Sequence, residues 1–210
     1  MKKISIFTIV ICSFFSVAKA QDIASLFSSM PDKMLLPLDS TQRLDIVDLH
    51  LAGRTAEVVS HLGETNRLVS LQDNYLQLKF GNSTLEIALL TMINDSKVIC
   101  VIKTVCVPVC DSQILFYTTE WRPLDSHIFI NPVTKDWFFA ENIDKNNEYF
   151  RSFESALDME MMQFCFEENG LSLIQTYNTA QYLSPDIRKN ADKYLKKESK
   201  RYIWNKVGFE

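Results

Sequence analysis

The chain has 210 residues, 47% hydrophobic and 23% charged, a composition that can bury a core in one large or two small domains without obligatory cross-links. Its 22 basic and 26 acidic side chains give a net charge of −4, which excludes a general nucleic-acid binder, since that needs a basic surface. Five glycines leave little for a phosphate cradle, and G-x-S-x-G, H-E-x-x-H, Walker and Rossmann patterns are all missing, so neither a cofactor nor a catalytic motif is expected.

Residues 1–20 carry the marks of a signal peptide: Lys2 and Lys3, an apolar run from Ile4 to Val17, and an A-x-A site at Ala18-Lys19-Ala20. Cleavage before Gln21 removes three lysines and no acid, which takes the net charge from −4 to −7. Cys12 follows Ile11 in the middle of the apolar run and is misplaced for a lipid acceptor. No later stretch approaches the ~18 apolar residues of a membrane span. The expected product is soluble and exported, periplasmic or extracellular.

Asp22 should cap a short helix whose Ile23, Leu26, Phe27 and Met30 share one face, and Pro31 should end it. The stretch Thr41 to Gly53 then gathers Asp45, Asp48 and His50, the densest set of chemically active side chains in the chain. Asp39 with Gln42 is a capping-box signature, and Gly53 sits where a C-terminal glycine belongs. At ~100° per residue, Leu44, Val47 and Leu51 share a face flanked by Ile46 and His50, with Asp48 on its other side and Asp45 toward water. Asp48 and His50 then lie ~160° apart and cannot converge on one ion or proton. The stretch reads as a capped helix whose two acids complement the dipole, and metal binding is not expected.

From Glu57 the period falls to 2, weakly in EVVSHL and RLVSL and clearly in YLQLKF, where Leu76, Leu78 and Phe80 alternate with a wet face of Tyr75, Gln77 and Lys79. TLEIALLTM, KVICVIKTV and SQILFYTTEW follow through short links, so these four strands should form an antiparallel meander. VICVIKTV is apolar on both faces and should be central.

Cys100, Cys106, Cys110 and Cys165 remain after cleavage, and an oxidising compartment allows three pairings. CVPVC cannot bridge when extended, because its ends would lie ~13 Å apart against a ~7 Å limit. A turn at Pro108 would let Cys106 and Cys110 pair, leaving Cys100 and Cys165 as buried free thiols. Zinc would need a second ligand pair nearby, and no histidine flanks CVPVC.

The second half holds fifteen aromatic residues from Phe129 to Phe209 against six between Gln21 and Asp125. Asn147 should cap a helix that buries Phe150, Phe153 and Leu157. MMQFCFEENGLSLIQTY reads as a hairpin around Asn169-Gly170, Ser184-Pro185 opens a helix, and RYIWNKV closes the chain as a strand. Eight basic side chains between Ser184 and Glu210 face only four acids.

The segments MPDKMLLPLDSTQRLDIVDL, LVSLQDNYLQLKFGNSTLEIALL, VICVIKTV and DSQILFYTTEW, within residues 24–125, resemble a family of exported proteins from anaerobic gut bacteria known as a domain of unknown function. The resemblance implies export and an α+β fold and supplies no catalytic residue. Family members carry Gly-Pro before the Asp-Ser pair where this chain has Val107-Pro108 between two cysteines, which makes a disulfide there peculiar to this member.

The expected fold is α+β, with N-terminal helices followed by an antiparallel β meander over 21–125 and a second aromatic-rich α+β part over 126–210 packed on it, or continuous with it. The favoured function is a non-catalytic binding or envelope-associated module for a protein or glycan. Trp137, Phe138, Phe139, Tyr202 and Trp204 are the candidate stacking platform. The alternative is an envelope hydrolase with a His-Ser or His-Cys dyad assembled in three dimensions, for which His61 and His127 are the histidines to inspect.

Overall fold

The computed structural model describes residues 22–61, 63–167 and 170–210; the leader, and Asn169 of the second hairpin turn, lie outside them. Seven strands form one antiparallel sheet in strict sequence order: β1 Glu57–Val59, β2 Thr65–Leu71, β3 Tyr75–Phe80, β4 Ser83–Thr91, β5 Lys97–Cys106, β6 Cys110–Thr118 and β7 Pro123–Leu124. The meander follows from the short turns between strands, and it is longer than the four strands of clear alternation. On β5, Ile99 and Val101 enter one core while Val98, Cys100 and Ile102 enter another. The strand is therefore apolar on both sides, as its sequence requires.

Helices α1 (Ile23–Ser28) and α2 (Ser40–Leu51) cover one face of this sheet. The Asp22 side chain accepts from the Ser25 N–H, and Ile23, Leu26, Phe27 and Met30 are all buried. Asp39 and Gln42 form the full capping box. At the other end of α2, Gly53 (φ 67°) donates to the His50 carbonyl and Arg54 to that of Leu49, a Schellman closure.

The buried face of α2 is not the one its leucines suggest. Leu44 and Leu51 are 51% and 70% exposed, while Arg43, Ile46 and Val47 point inward. Arg43 is completely buried. Its Nε donates to the Phe27 carbonyl at 3.1 Å, Nη1 to Leu38 at 2.7 Å, and Nη2 to the Met30 carbonyl and to Asp32 Oδ1, the last at 3.0 Å. These carbonyls lie at the end of α1 and in the segment that follows, so hydrogen bonds as well as apolar contact set the orientation of α2. The helix starts at Ser40, so Asp45 and Asp48 lie beyond its first turn, where the dipole has little hold on them.

The opposite face of the main sheet carries the second half of the chain. Strands β8 (Met162–Phe166), β9 (Ser172–Tyr177) and β10 (Lys200–Ile203) form a small antiparallel sheet in the order β10-β9-β8. One core joins the halves: Tyr75, Ala88, Leu90, Cys100, Ile102 and Phe116 pack with Phe129, Phe164, Phe166, Leu173, Tyr202, Trp204 and Phe209. Tyr75 is consequently buried rather than wet, with its ring edge-on to Phe166 at 6.0 Å. At the β8–β9 turn Gly170 has φ 67°, and a Cβ there would meet Ala88 and Tyr75 at 3.4 Å. A further apolar cluster lies under α3 (Glu148–Ala156), where Asn147 caps the helix and Phe150, Phe153 and Leu157 are buried; the short helices α4 (Thr179–Tyr182), α5 (Pro185–Arg188) and α6 (Ala191–Tyr194) surround it.

The free edge of β8 meets the main sheet through side chains. The N–H groups of Met162, Phe164 and Phe166 donate in turn to Asp111 Oδ1 (2.9 Å), Ser112 Oγ (3.0 Å) and Glu86 Oε1 (3.3 Å). An unpaired strand edge in a core is costly, and three polar side chains of β4 and β6 satisfy this one.

Candidate functional site

The aromatic platform expected from sequence is taken up by the fold. Phe138, Phe139, Tyr202 and Trp204 are buried. The Tyr202 hydroxyl donates to Gln175 Oε1 at 2.7 Å and Trp204 Nε1 to the Thr91 carbonyl at 2.9 Å, so the polar tips are used internally as well. Trp137 is half-buried, with the Lys196 ammonium 5.0 Å over its ring and Phe138 edge-on at 4.9 Å. Tyr202 and Trp204 fill the space between the two sheets, and Phe139 packs in the cluster under α3. The adjacent cleft, lined in part by Phe138, Tyr177, Gln181, Asp192, Lys196, Lys197 and Glu198, has both its lysines paired: Lys196 with Glu141 at 3.8 Å and Lys197 with Asp192 at 3.1 Å.

Asp45 and Asp48 line an open depression with Leu49, Ala52, Arg54 and Val58, and among the described residues no three His, Cys, Asp or Glu side chains gather as metal ligands do. His61 Nε2 lies 3.0 Å from Asp39 Oδ2. The Gln42 N–H and then His61 hold the Asp39 carboxyl below its usual range. His127 is placed by its backbone N–H, which donates to Asp125.

Among the described residues Glu86 is the most deeply buried carboxyl, accepting from the Tyr75 hydroxyl at 2.6 Å and from Phe166 N–H. Desolvation raises its pKa against these bonds. Burial, reinforced by Glu86, also pushes the Cys100 and Cys165 thiols up, the reverse of what a nucleophilic thiolate needs. Cys106 and Cys110 face each other across the β5–β6 end with Cα atoms 3.9 Å apart and are disulfide-bonded around a cis Val107-Pro108 bond, while Cys100 and Cys165 are free. Cys165 is half-buried rather than buried.

A pocket of about 310 Å³ opens on the helix-facing side of the main sheet, beyond the end of the helical layer. Arg43 anchors its lip, the segment from Lys33 to Pro37, through the flanking Met30 and Leu38 carbonyls. Leu35 and Leu85 are buried in its floor, and Phe80, Leu36 and Val105 form apolar walls. Lys103 is the charged residue planted in this surface by β5, in line with Ile99 and Val101. Its Nζ donates to the Met34 carbonyl at 3.0 Å, and burial lowers its pKa. Among the described residues no carboxylate forms an ion pair with it. Sequence reasoning passed over Lys103, although a lysine at an inward position of an otherwise apolar strand was a visible signal.

Fold and site together define an α+β protein with a small apolar pocket that holds Lys103 in its wall and Lys33 on its lip. The chain belongs to the family described as protein of unknown function DUF3256, whose profile matches residues 15–209. The match thus runs through both halves, well beyond the 24–125 stretch that carried the resemblance. A solved domain of an uncharacterized protein from Porphyromonas gingivalis W83 is similar, with 27% identity and a TM-score of 0.82 over 91% of this chain and 99% of that one. No curated protein matches. Among the described residues no helix is long and apolar enough to cross a membrane.

Proposed function

We propose that this protein is an exported, non-catalytic binding module that holds a small apolar ligand in the pocket between the 33–37 lip and the open end of the main sheet. The observation that carries the reading is Lys103: a half-buried ammonium without a carboxylate partner, set among apolar walls, is the pattern of a few polar groups in an apolar concavity that marks ligand sites. The raised thiols and the use of Glu86 at the β8 edge favour binding over hydrolysis. Export is supported by the leader-like residues 1–20 and by the Cys106–Cys110 bond, a pairing suited to an oxidising compartment.

The test has two arms. Intact-mass measurement of the protein recovered from its native compartment should place the first residue at Gln21, and recovery with Met1 retained rejects export by this leader. Titration with 1-octanol, followed by NMR shifts of the Leu35, Leu85 and Val105 amides, should give saturable binding that Val105→Trp abolishes by filling the pocket. Binding that survives this substitution places the ligand elsewhere.

A further inference from the structure

We infer that the pocket selects an acid: its ligand is a small apolar molecule that ends in one carboxylate, which pairs with the Lys103 ammonium. This inference rests on the binding reading above and specifies its ligand class.

The register of the sheet fixes the geometry. Leu78, Leu85, Lys103 and Gln113 form one row across β3 to β6, and Phe80, Ser83, Val105 and Asp111 form the next. Lys103 is thus flanked by Leu85 on its own row and followed by Phe80 and Val105 toward the mouth. An ammonium has three N–H donors, and one is directed to Met34 O. The other two remain for a ligand's carboxylate oxygens.

The acids in the neighbourhood are held by other partners. Asp32 pairs with Arg43 at 3.0 Å, Asp111 accepts from the Met162 N–H at the sheet edge, and Glu86 lies on the opposite face against Tyr75 and Phe166. Lys33, exposed on the lip, adds a second positive charge at the entrance. A partly desolvated charge gains more from a counter-ion than an exposed one does, because water screens it less. Burial lowers the Lys103 pKa, so a carboxylate beside it restores the charged form.

Size and polarity narrow the ligand further. About 310 Å³ is at the small end for ligand sites, which suits a medium-chain or monocyclic acid better than a sugar chain or a folded partner. Beside Ser83, Thr84 and Thr104, the lining is dominated by Leu35, Leu36, Phe80, Leu85 and Val105, which offer a sugar no hydrogen-bonding side chain.

The experiment compares octanoate with 1-octanol, which share the apolar body and differ in charge, by calorimetry on the purified protein. Octanoate should bind tighter by about tenfold or more, the scale of a charge-assisted contact. Lys103→Met, which keeps the apolar stem, should erase that preference, bringing the two affinities to within about twofold of each other. Leu36 is 81% exposed on the lip, so Leu36→Asp cannot disturb the core; the added negative charge should shrink or reverse octanoate's advantage over 1-octanol, and it decides the question if Lys103→Met fails to fold. Equal affinities for the two compounds in the wild type, or a preference that survives Lys103→Met or Leu36→Asp, overturn the acid assignment and leave the pocket reading standing. Failure of both compounds to bind, or binding indifferent to Val105→Trp, overturns the pocket reading itself.

Discussion

Replacing Arg43 tests whether hydrogen bonds, rather than the leucines of α2, orient the helical layer. Arg43→Met preserves most of the side-chain volume and removes every donor, leaving the carbonyls of Phe27, Met30 and Leu38 without this partner and Asp32 without its ion pair. A buried polar group left unsatisfied costs ~1–3 kcal/mol, and breaking a buried charged network costs ~3–5 kcal/mol. Three carbonyls lose this partner together with Asp32, so the expected loss is ~4 kcal/mol, above the cost of one unsatisfied group and within the range for a broken charged network. At ~2–4 °C per kcal/mol for a chain of this length, the melting temperature should fall by about 10 °C. Arg43→Lys keeps the charge without the planar fork and should recover only part of the loss. Thermal unfolding followed by far-UV circular dichroism measures both variants, and hydrogen exchange at Met34, Leu35 and Leu38 should accelerate in parallel. A fall below ~2 °C for Arg43→Met, less than 1 kcal/mol on that scale, would refute the clasp.

The buried Glu86 makes stability depend on pH. Its pKa is raised above 4.5 chiefly by burial, so the native state holds the proton more tightly than the unfolded chain; that contribution is complete below about 4.5 and lost as pH rises through the folded value. Glu86→Gln keeps an acceptor for Tyr75 and Phe166 and cannot ionise, so its melting temperature should gain on the wild type as pH is raised from about 4 to 8; a difference that stays flat counts against a strained carboxylate. The Cys106–Cys110 bond closes a loop far shorter than the 15-residue loop worth ~3 kcal/mol, so reduction should lower the melting temperature by only a few degrees. Peptide mapping should find those two cysteines joined, with Cys165 alkylated before the fully buried Cys100; a bridge to Cys165 contradicts the structure.

Local signals in the sequence were readable where they depend on near neighbours. Asp22, the Asp39–Gln42 pair, Gly53 and Asn147 all act within a few residues of themselves, and each does in the fold what its position suggests. The face of α2 was misread because periodicity counts apolar side chains, and the residue at the centre of its buried face is an arginine whose partners lie five to sixteen residues away in the chain. Tyr75 and Gln77 looked wet because polarity on alternate positions usually means solvent. Here a second sheet covers that side, and nothing inside β3 announces it. Lys103 was legible in principle as a charge in line with Ile99 and Val101, but its lack of a carboxylate partner depends on where Asp32, Glu86 and Asp111 are held.

The aromatic richness of the second half drew the functional reading toward it, and the structure gives that richness a mechanical purpose. A small sheet whose edge strand abuts the face of a larger one needs its edge N–H groups satisfied, which Asp111, Ser112 and Glu86 do, and large side chains to fill the wedge between the two, which Phe164, Phe166, Trp204 and Phe209 do. Aromatic residues committed to that wedge are unavailable for a ligand, and both lysines of the nearby cleft are paired with carboxylates. The uncompensated chemistry sits on the other side of the main sheet, where two short helices leave the ends of β3, β4 and β5 uncovered and the lip held by Arg43 closes over Lys103. The same clasp that stabilises the helical layer therefore shapes the pocket, so Arg43→Met should weaken octanoate and 1-octanol alike, whereas Lys103→Met removes the preference for octanoate. Calorimetry on both variants separates the residue that positions the lip from the one that meets the ligand, and selective loss of octanoate in Arg43→Met would break that division.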